Sequence, residues 1–400
     1  MPDILFPTSI LCLVIWLMIL VLKRFRQPYL VAYILAGLLL GPSVSGVFGE
    51  ARAIEDLGQI GVLLLMFFLG IELEIPDNRS LLTQPVIAQL IKTVLSIFVA
   101  MVAGYLLHLK AGNAFLLSVL LLFNSTAVVG EMLRKNGEIH TTMGKIVLNM
   151  LLFQDVLAGP TFAAMQLAAG KPAEWMRTVL SLGCCVLFLL LLRSIRNRKL
   201  FQWREAGDLE KDHDLQVFLG AFICLGFAFL AAKAGLPPSL GSFAAGVYLG
   251  RTRGFHWLGN TLRPFQVFFA ALFFVSIGLR LDPQFIREHW QTVLSLTFGV
   301  LLINGLLSAV GFRLMGHHWM LSLHAGALLS QTGEFGLVAC SIAYDTGAIT
   351  SGFYKTCVAV TGLALLLSTA WVNILRRIIE KGKDRHKQNI DYDNDLLYRI

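Results

Sequence analysis

Leu151-Leu152-Phe153-Gln154-Asp155-Val156-Leu157-Ala158-Gly159-Pro160 places a carboxylate near the middle of a segment otherwise fit to cross a bilayer. A charge at that depth costs roughly 2.5–3.5 kcal/mol on insertion scales, so an intramembrane acid faces protein or water and marks a functional site. Asp155 is therefore read as a binding residue, with Gln154 as its uncharged neighbour.

The surrounding chain has the composition of an all-α polytopic membrane protein. Of its 400 residues 56% are hydrophobic and 14% charged, with a mean hydropathy of +0.69, outside the ordinary soluble range. Six cysteines (Cys12, Cys184, Cys185, Cys224, Cys340 and Cys357) lie in or beside apolar segments without metal-ligand spacing and read as small buried residues. The first apolar stretch, Ile4 to Leu22, precedes Lys23, Arg24 and Arg26 and lacks a basic leader or cleavage site, so it reads as a retained helix.

About thirteen transmembrane spans can be marked: 4–22, 28–46, 57–73, 85–108, 114–133, 143–168, 176–193, 215–234, 238–250, 264–280, 290–312, 320–344 and 353–375. Roughly three quarters of the 33 Lys and Arg fall on one face of this arrangement, which sets the N-terminus outside and the C-terminus in the cytoplasm of a cell (plasma) membrane protein. The net charge of +8 is then a topology signal and not a nucleic-acid footprint. Residues 1–375 form one membrane domain, and 376–400 a charged cytoplasmic tail that is disordered or lies on the anionic inner leaflet.

The chain also resembles itself. Ala36-Gly37-Leu38-Leu39-Leu40-Gly41 returns as Ala245-Gly246-Val247-Tyr248-Leu249-Gly250, and Phe67-Phe68-Leu69-Gly70-Ile71-Glu72-Leu73 as Phe273-Phe274-Val275-Ser276-Ile277-Gly278-Leu279. Seven spans separate the copies, so they lie in opposite orientations. The result is an inverted repeat (6+1+6) of residues 1–175 and 215–375 around a linker helix at 176–193, an architecture typical of secondary transporters. The same offset pairs polar interruptions in the fifth and twelfth spans: Asn124-Ser125-Thr126, and Ser330-Gln331-Thr332-Gly333-Glu334-Phe335-Gly336. Such breaks at mid-membrane are read as discontinuous helices exposing carbonyls and helix ends. Asp155 has Gly362 near its repeat counterpart, so the acid belongs to one half only.

Leu152-Phe153-Gln154-Asp155, Asn124-Ser125-Thr126-Ala127, Ser330-Gln331-Thr332-Gly333-Glu334-Phe335, Leu35-Ala36-Gly37-Leu38-Leu39-Leu40-Gly41-Pro42 and Leu272-Phe273-Phe274-Val275-Ser276-Ile277-Gly278 together resemble the monovalent cation:proton antiporter-2 family, and the Gln-Asp pair is closest to its Kef-type potassium/proton antiporters. The resemblance covers nearly all of the membrane part. It implies crossed broken helices, as in sodium/proton antiporter folds, in a core that moves against a dimerisation domain. It also implies a homodimer, no enzymatic activity and no cofactor, with Asp155 as the ion-binding acid. The chain departs from Kef-type proteins in ending without a nucleotide-binding regulatory domain and in lacking an acid in the loop 256–265. This implies a transporter free of that gate or one gated by a separate regulatory subunit. Asn124 stands where the family commonly has Ser.

A carboxylate in a partly desolvated pocket lets proton and cation oppose one another. The expected exchange is K⁺ for H⁺, one to one and electroneutral, with Asn124, Ser125, Thr126 and Gln154 around Asp155, and Gln331, Thr332, Gly333 and Glu334 forming the second broken helix. Na⁺/H⁺ exchange on the same fold and a cation channel are the alternatives. Glu334 reads first as a structural partner of the crossover, Lys92 as a snorkelling or paired side chain, Glu72 and Glu131 as helix-end acids, and His108 and His324 as candidate pH sensors.

Overall fold

The computed structural model describes residues 2–24, 29–48, 52–72, 80–106, 108–109, 111–168, 183, 212–234, 236–250 and 263–397. Among these, every regular element is a helix: α1 Pro2–Arg24, α2 Tyr29–Leu40, α3 Arg52–Glu72, α4 Ser80–Leu106, α5 Ala111–Leu122, α6 Thr126–Lys135, α7 Thr142–Ala168, α8 His213–Lys233, α9 Pro238–Leu249, α10 Arg263–Leu279, α11 Pro283–Glu288, α12 Trp290–Leu314, α13 Trp319–Leu328, α14 Glu334–Asp345 and α15 Ser351–Leu397. Among the described residues six helical stretches are long and apolar enough to cross a membrane, and shorter apolar helices lie between them. The expected linker helix at 176–193 lies outside the described residues, as do Cys184 and Cys185.

Two bundles emerge from the packing. In the first, α3 packs on α9 and α10, α2 on α10 and α1, and α8 on α9; in the second, α4 packs on α5 and α7, α12 on α13 and α15, and α14 on α5, α7 and α15. The main contacts between the bundles are sparse, made by α3 with α6, α9 with α7 and α15 with α2. The repeated glycine motifs explain the tightness of the first bundle. A β-carbon at Gly37 would lie 2.1 Å from the Val275 carbonyl oxygen, and one at Gly246 would lie 2.0 Å from that of Phe67. Only glycine lets these backbones touch, and close backbone approach drives helix association in lipid, where apolar burial between helices gains little.

The second bundle holds the two interrupted helices. The fifth span is α5 and α6, separated by Phe123–Ser125, and the twelfth is α13 and α14, separated by 329–333. Thr126 and Glu334, expected within the interruptions, are instead the first residues of α6 and α14. Ser125 explains the first restart: it is extended (φ −80°, ψ 108°) and its hydroxyl accepts from Val128 N at 3.4 Å, capping an otherwise orphaned amide.

The tail differs from expectation. α15 continues through Arg376 to Leu397 as one helix of 47 residues, so 376–397 is not a separate irregular segment. The sequence there has no proline, and it spaces Arg376 with Glu380 and Lys387 with Asp391 by four residues, a pattern that supports a helix already nucleated by the span before it.

Candidate functional site

The two interruptions cross in contact. Gly333 N donates to Phe123 O at 3.2 Å, and Thr332 Oγ1 donates to Leu120 O at 3.2 Å. A β-carbon at Gly333 would lie 2.6 Å from the Asn124 carbonyl and from Ser125 N, so the crossing itself requires glycine. Two helix N-termini, of α6 and α14, and two C-termini, of α5 and α13, converge here, leaving partial charges of both signs in the membrane interior.

Asn124 is the brace. Its Nδ2 donates to Leu329 O and Gln331 O, both at 2.8 Å, which ties the first interruption to the second. Its Oδ1 accepts from Gln154 Nε2 at 3.1 Å and from Lys92 Nζ. Gln154 returns the contact by accepting from Asn124 N at 2.9 Å, and its Nε2 donates to Gln89 Oε1 at 2.8 Å. These bonds use every amide N–H of Asn124 and Gln154. Both side chains, expected around the cation, tie the two interruptions and α4 together through these bonds.

Asp155 lies one helical step from Gln154 on α7 and is 2% exposed. Thr126 Oγ1 donates to its carboxylate, at 3.1 Å to Oδ1 and 3.4 Å to Oδ2. The adjacent Ser125 donates from Oγ to Glu334 Oε2 at 3.1 Å. Two carboxylates therefore flank two consecutive hydroxyls at the start of α6, each carboxylate at or near a helix N-terminus, where negative charge is favoured. Glu334, expected to be chiefly structural, is part of the constellation.

Lys92 is the residue that sequence reasoning undervalued. It is 0% exposed and does not snorkel; its ammonium is buried on Asn124, next to the C-terminal end of α5. Gln89, Lys92 and Ser96 recur at helical spacing on one face of α4, and all three are buried. That polar stripe was the available signal. A basic side chain is thus buried on Asn124, next to the residues that hold the two acids.

Phe123 and Phe335, next in the chain to Asn124 and Glu334, pack with Phe162 at ring-centroid distances of 5.9 to 6.1 Å. A cavity of about 530 Å³ is lined by Lys23, Tyr33, Glu131, Met132 and Phe274 and reaches Val128, two residues from Thr126. Glu131 lines it while paired with Arg134 at 2.8 Å. His324 Nε2 lies 3.3 Å from Glu138, which also binds the Arg376 guanidinium, and His108 ends α4 exposed with φ +50°. The side chain of Glu72 lies outside those described.

Residues 9–376 match the family profile "Sodium/hydrogen exchanger, transmembrane". The iron transporter MagA of Paramagnetospirillum magneticum is 32% identical over 360 residues, covering 89% of this chain and 82% of that protein. K(+) efflux antiporter 5 of Arabidopsis thaliana is 27% identical, over 89% of this chain and 64% of that one, and the glutathione-regulated potassium-efflux system protein of Haemophilus influenzae is 26% identical, over 94% and 61%. The chain thus spans under two thirds of the length of these two relatives. Among solved structures, the sodium proton antiporter MjNhaP1 from Methanocaldococcus jannaschii at pH 8 aligns with a TM-score of 0.58 at 13% identity, over 94% of this chain and 98% of that one, which shows a shared fold. A profile match across nearly the whole described helical assembly and a common fold lead to one conclusion: this multi-pass membrane protein belongs to the transmembrane sodium/hydrogen exchanger family, whose members are transporters and not enzymes.

Proposed function

We propose that the protein exchanges a monovalent cation for H⁺ across the membrane, with Asp155 alternately binding proton and cation. The observation that carries this is the buried Asp155 carboxylate held by Thr126 Oγ1 beside two crossed helix interruptions. The Thr126 hydroxyl and the carboxylate are hard oxygen ligands that suit an alkali ion. Proton and cation bind the same oxygens, so each displaces the other, and this rivalry couples the two fluxes. One carboxylate that changes occupant carries one positive ion in each direction, which supports one-to-one electroneutral exchange.

The potassium-efflux names of the relatives support K⁺ as the preferred cation; Na⁺ on the same fold is the second reading. The name of the MagA relative points to iron. A transition-metal site would draw on His or Cys alongside carboxylate, and among the described residues no such cluster occurs. The exposed apolar side chains of α1 and α8, among them Phe6, Trp16, Phe218 and Phe222, supply surface for lipid and for a homodimer contact in the cell membrane. The biased placement of Lys and Arg supports an external N-terminus and a cytoplasmic C-terminus, and a separate regulatory subunit would act from the cytoplasmic side.

Proteoliposomes reporting internal pH, challenged in turn with K⁺, Na⁺, Li⁺ and Rb⁺, test the proposal. Saturable proton movement with K⁺ most effective is expected, and Asp155→Asn should abolish it while the protein stays folded. The cation concentration giving half-maximal exchange should fall as pH rises, because proton competition weakens. Conductance without proton coupling would establish a channel instead.

A further inference from the structure

The second interruption carries a polar cluster that the exchange chemistry does not use. Asn304 is 0% exposed on α12, and neither Nδ2 nor Oδ1 has a hydrogen-bond partner in the protein. Ser330 Oγ and both side-chain polar atoms of Gln331 are in the same condition, and both residues are 0% exposed. These groups share one locus. Ser308, one turn along α12 from Asn304, donates to Leu329 O at 3.5 Å, and a β-carbon at Gly305 would stand 3.6 Å from the Ser330 Cβ. The face of α12 bearing Asn304 is therefore the face laid against residues 329–333.

An unmatched buried polar group costs about 1–3 kcal/mol, so the three on Asn304 and Ser330, with two more on Gln331 next in the chain, call for a ligand. Its chemistry is constrained by the donors. Each amide offers two N–H groups beside its oxygen, and Ser330 offers one O–H. No carboxylate is among them. Neutral amides and a hydroxyl both give and accept hydrogen bonds, as water does, and water is held where two to four polar partners converge. We propose that Asn304 and Ser330, with Gln331 beside them, form a buried water site on the α12 side of the crossing, distinct from Asp155. None of the three side chains titrates, so the water stays whichever occupant Asp155 carries. The crossing is thereby hydrated from a side that the 530 Å³ cavity, lined by other residues, does not serve.

Two substitutions of opposite logic test this through thermal unfolding of the detergent-solubilised protein, a readout independent of transport. With water present, Asn304→Leu displaces it and strands Ser330, lowering Tm by about 3 °C or more, while Asn304→Ser leaves room for one further water and keeps Tm near that of the parent. A dry cluster reverses the order: Asn304→Leu removes two stranded groups and holds or raises Tm, and Asn304→Ser opens a cavity and lowers it. That reversed order overturns the proposal. So does Rb⁺ density at Asn304 in a structure determined in rubidium salt, whereas water density within hydrogen-bonding distance of Asn304 and Ser330 supports it.

Discussion

The two helix interruptions occupy corresponding places in the chain's two halves, yet they are held together in opposite ways. At the first, Asn124 and Gln154 satisfy one another and their surroundings through direct protein hydrogen bonds, with Lys92 closing the network. At the second, Thr332 and the backbone make the protein contacts, and Ser330 and Gln331 present side chains that the protein leaves unmatched. Where a break carries charge chemistry, its geometry is fixed by protein atoms. At the second break, which runs into Glu334, the proposed water completes what the protein leaves open. The asymmetry extends to the acids, since Asp155 has Gly362 near its counterpart position, and there a β-carbon would meet the Leu281 side chain at 2.5 Å.

The largest effect should come from removing the feature that makes the first half unique. Asp155→Asn is expected to lower exchange by on the order of 100-fold or more, with an unchanged circular dichroism spectrum; exchange at a tenth of the parental rate or higher would mean that the acid is not the coupling group. Asn124→Ala comes next. It strips partners from Lys92, Gln154 and two carbonyls and should cost about 3–5 kcal/mol in denaturant unfolding. Gln331→Ala, its counterpart in the second interruption, should cost about 1–2 kcal/mol. Equal costs would erase the distinction between the two breaks. Gly333→Ala should cost about 1–3 kcal/mol through overpacking at the crossing.

The smallest effect lies away from both breaks, where Asp282 caps α11. The Phe285 N–H holds its carboxyl below the usual range, with burial opposing and Lys355 at 3.3 Å adding to the effect. A depressed carboxyl contributes stability above its unfolded value of about 3.9 and loses it as pH falls through the lower folded one. Both partners are substantially exposed, so Asp282→Asn should cost under about 1 kcal/mol near neutrality, and still less in acid.

Much of this arrangement was legible in the residues. Glycine motifs and apolar length gave span limits within a few residues of most described helices, because both report the two strongest constraints in a bilayer: backbone hydrogen bonds closed within helices, and close approach only where no side chain intervenes. Asp155, Thr126 and Glu334 could be picked out because polar groups are rare at that depth. The division of labour among them was not legible. The bonds from Asn124 to Leu329 and Gln331 could not be foreseen, since partners about two hundred positions away leave no local trace. Lys92 was discounted because a lysine can reach an interface from many depths, and only its place on α4 against α5 decides that it does not. Residues 376–397 misled through their charge, which suits a solvated coil as well as a solvated helix.

That final helix has a mechanical implication. At 1.5 Å per residue, 47 residues measure about 70 Å, roughly twice the hydrocarbon thickness of a bilayer. Its surplus length extends as a stalk beyond the segment packed against α12, α13 and α14. Any tilt of that bundle within the lipid would be amplified at the stalk's far end, and a load applied there would be felt at the crossing.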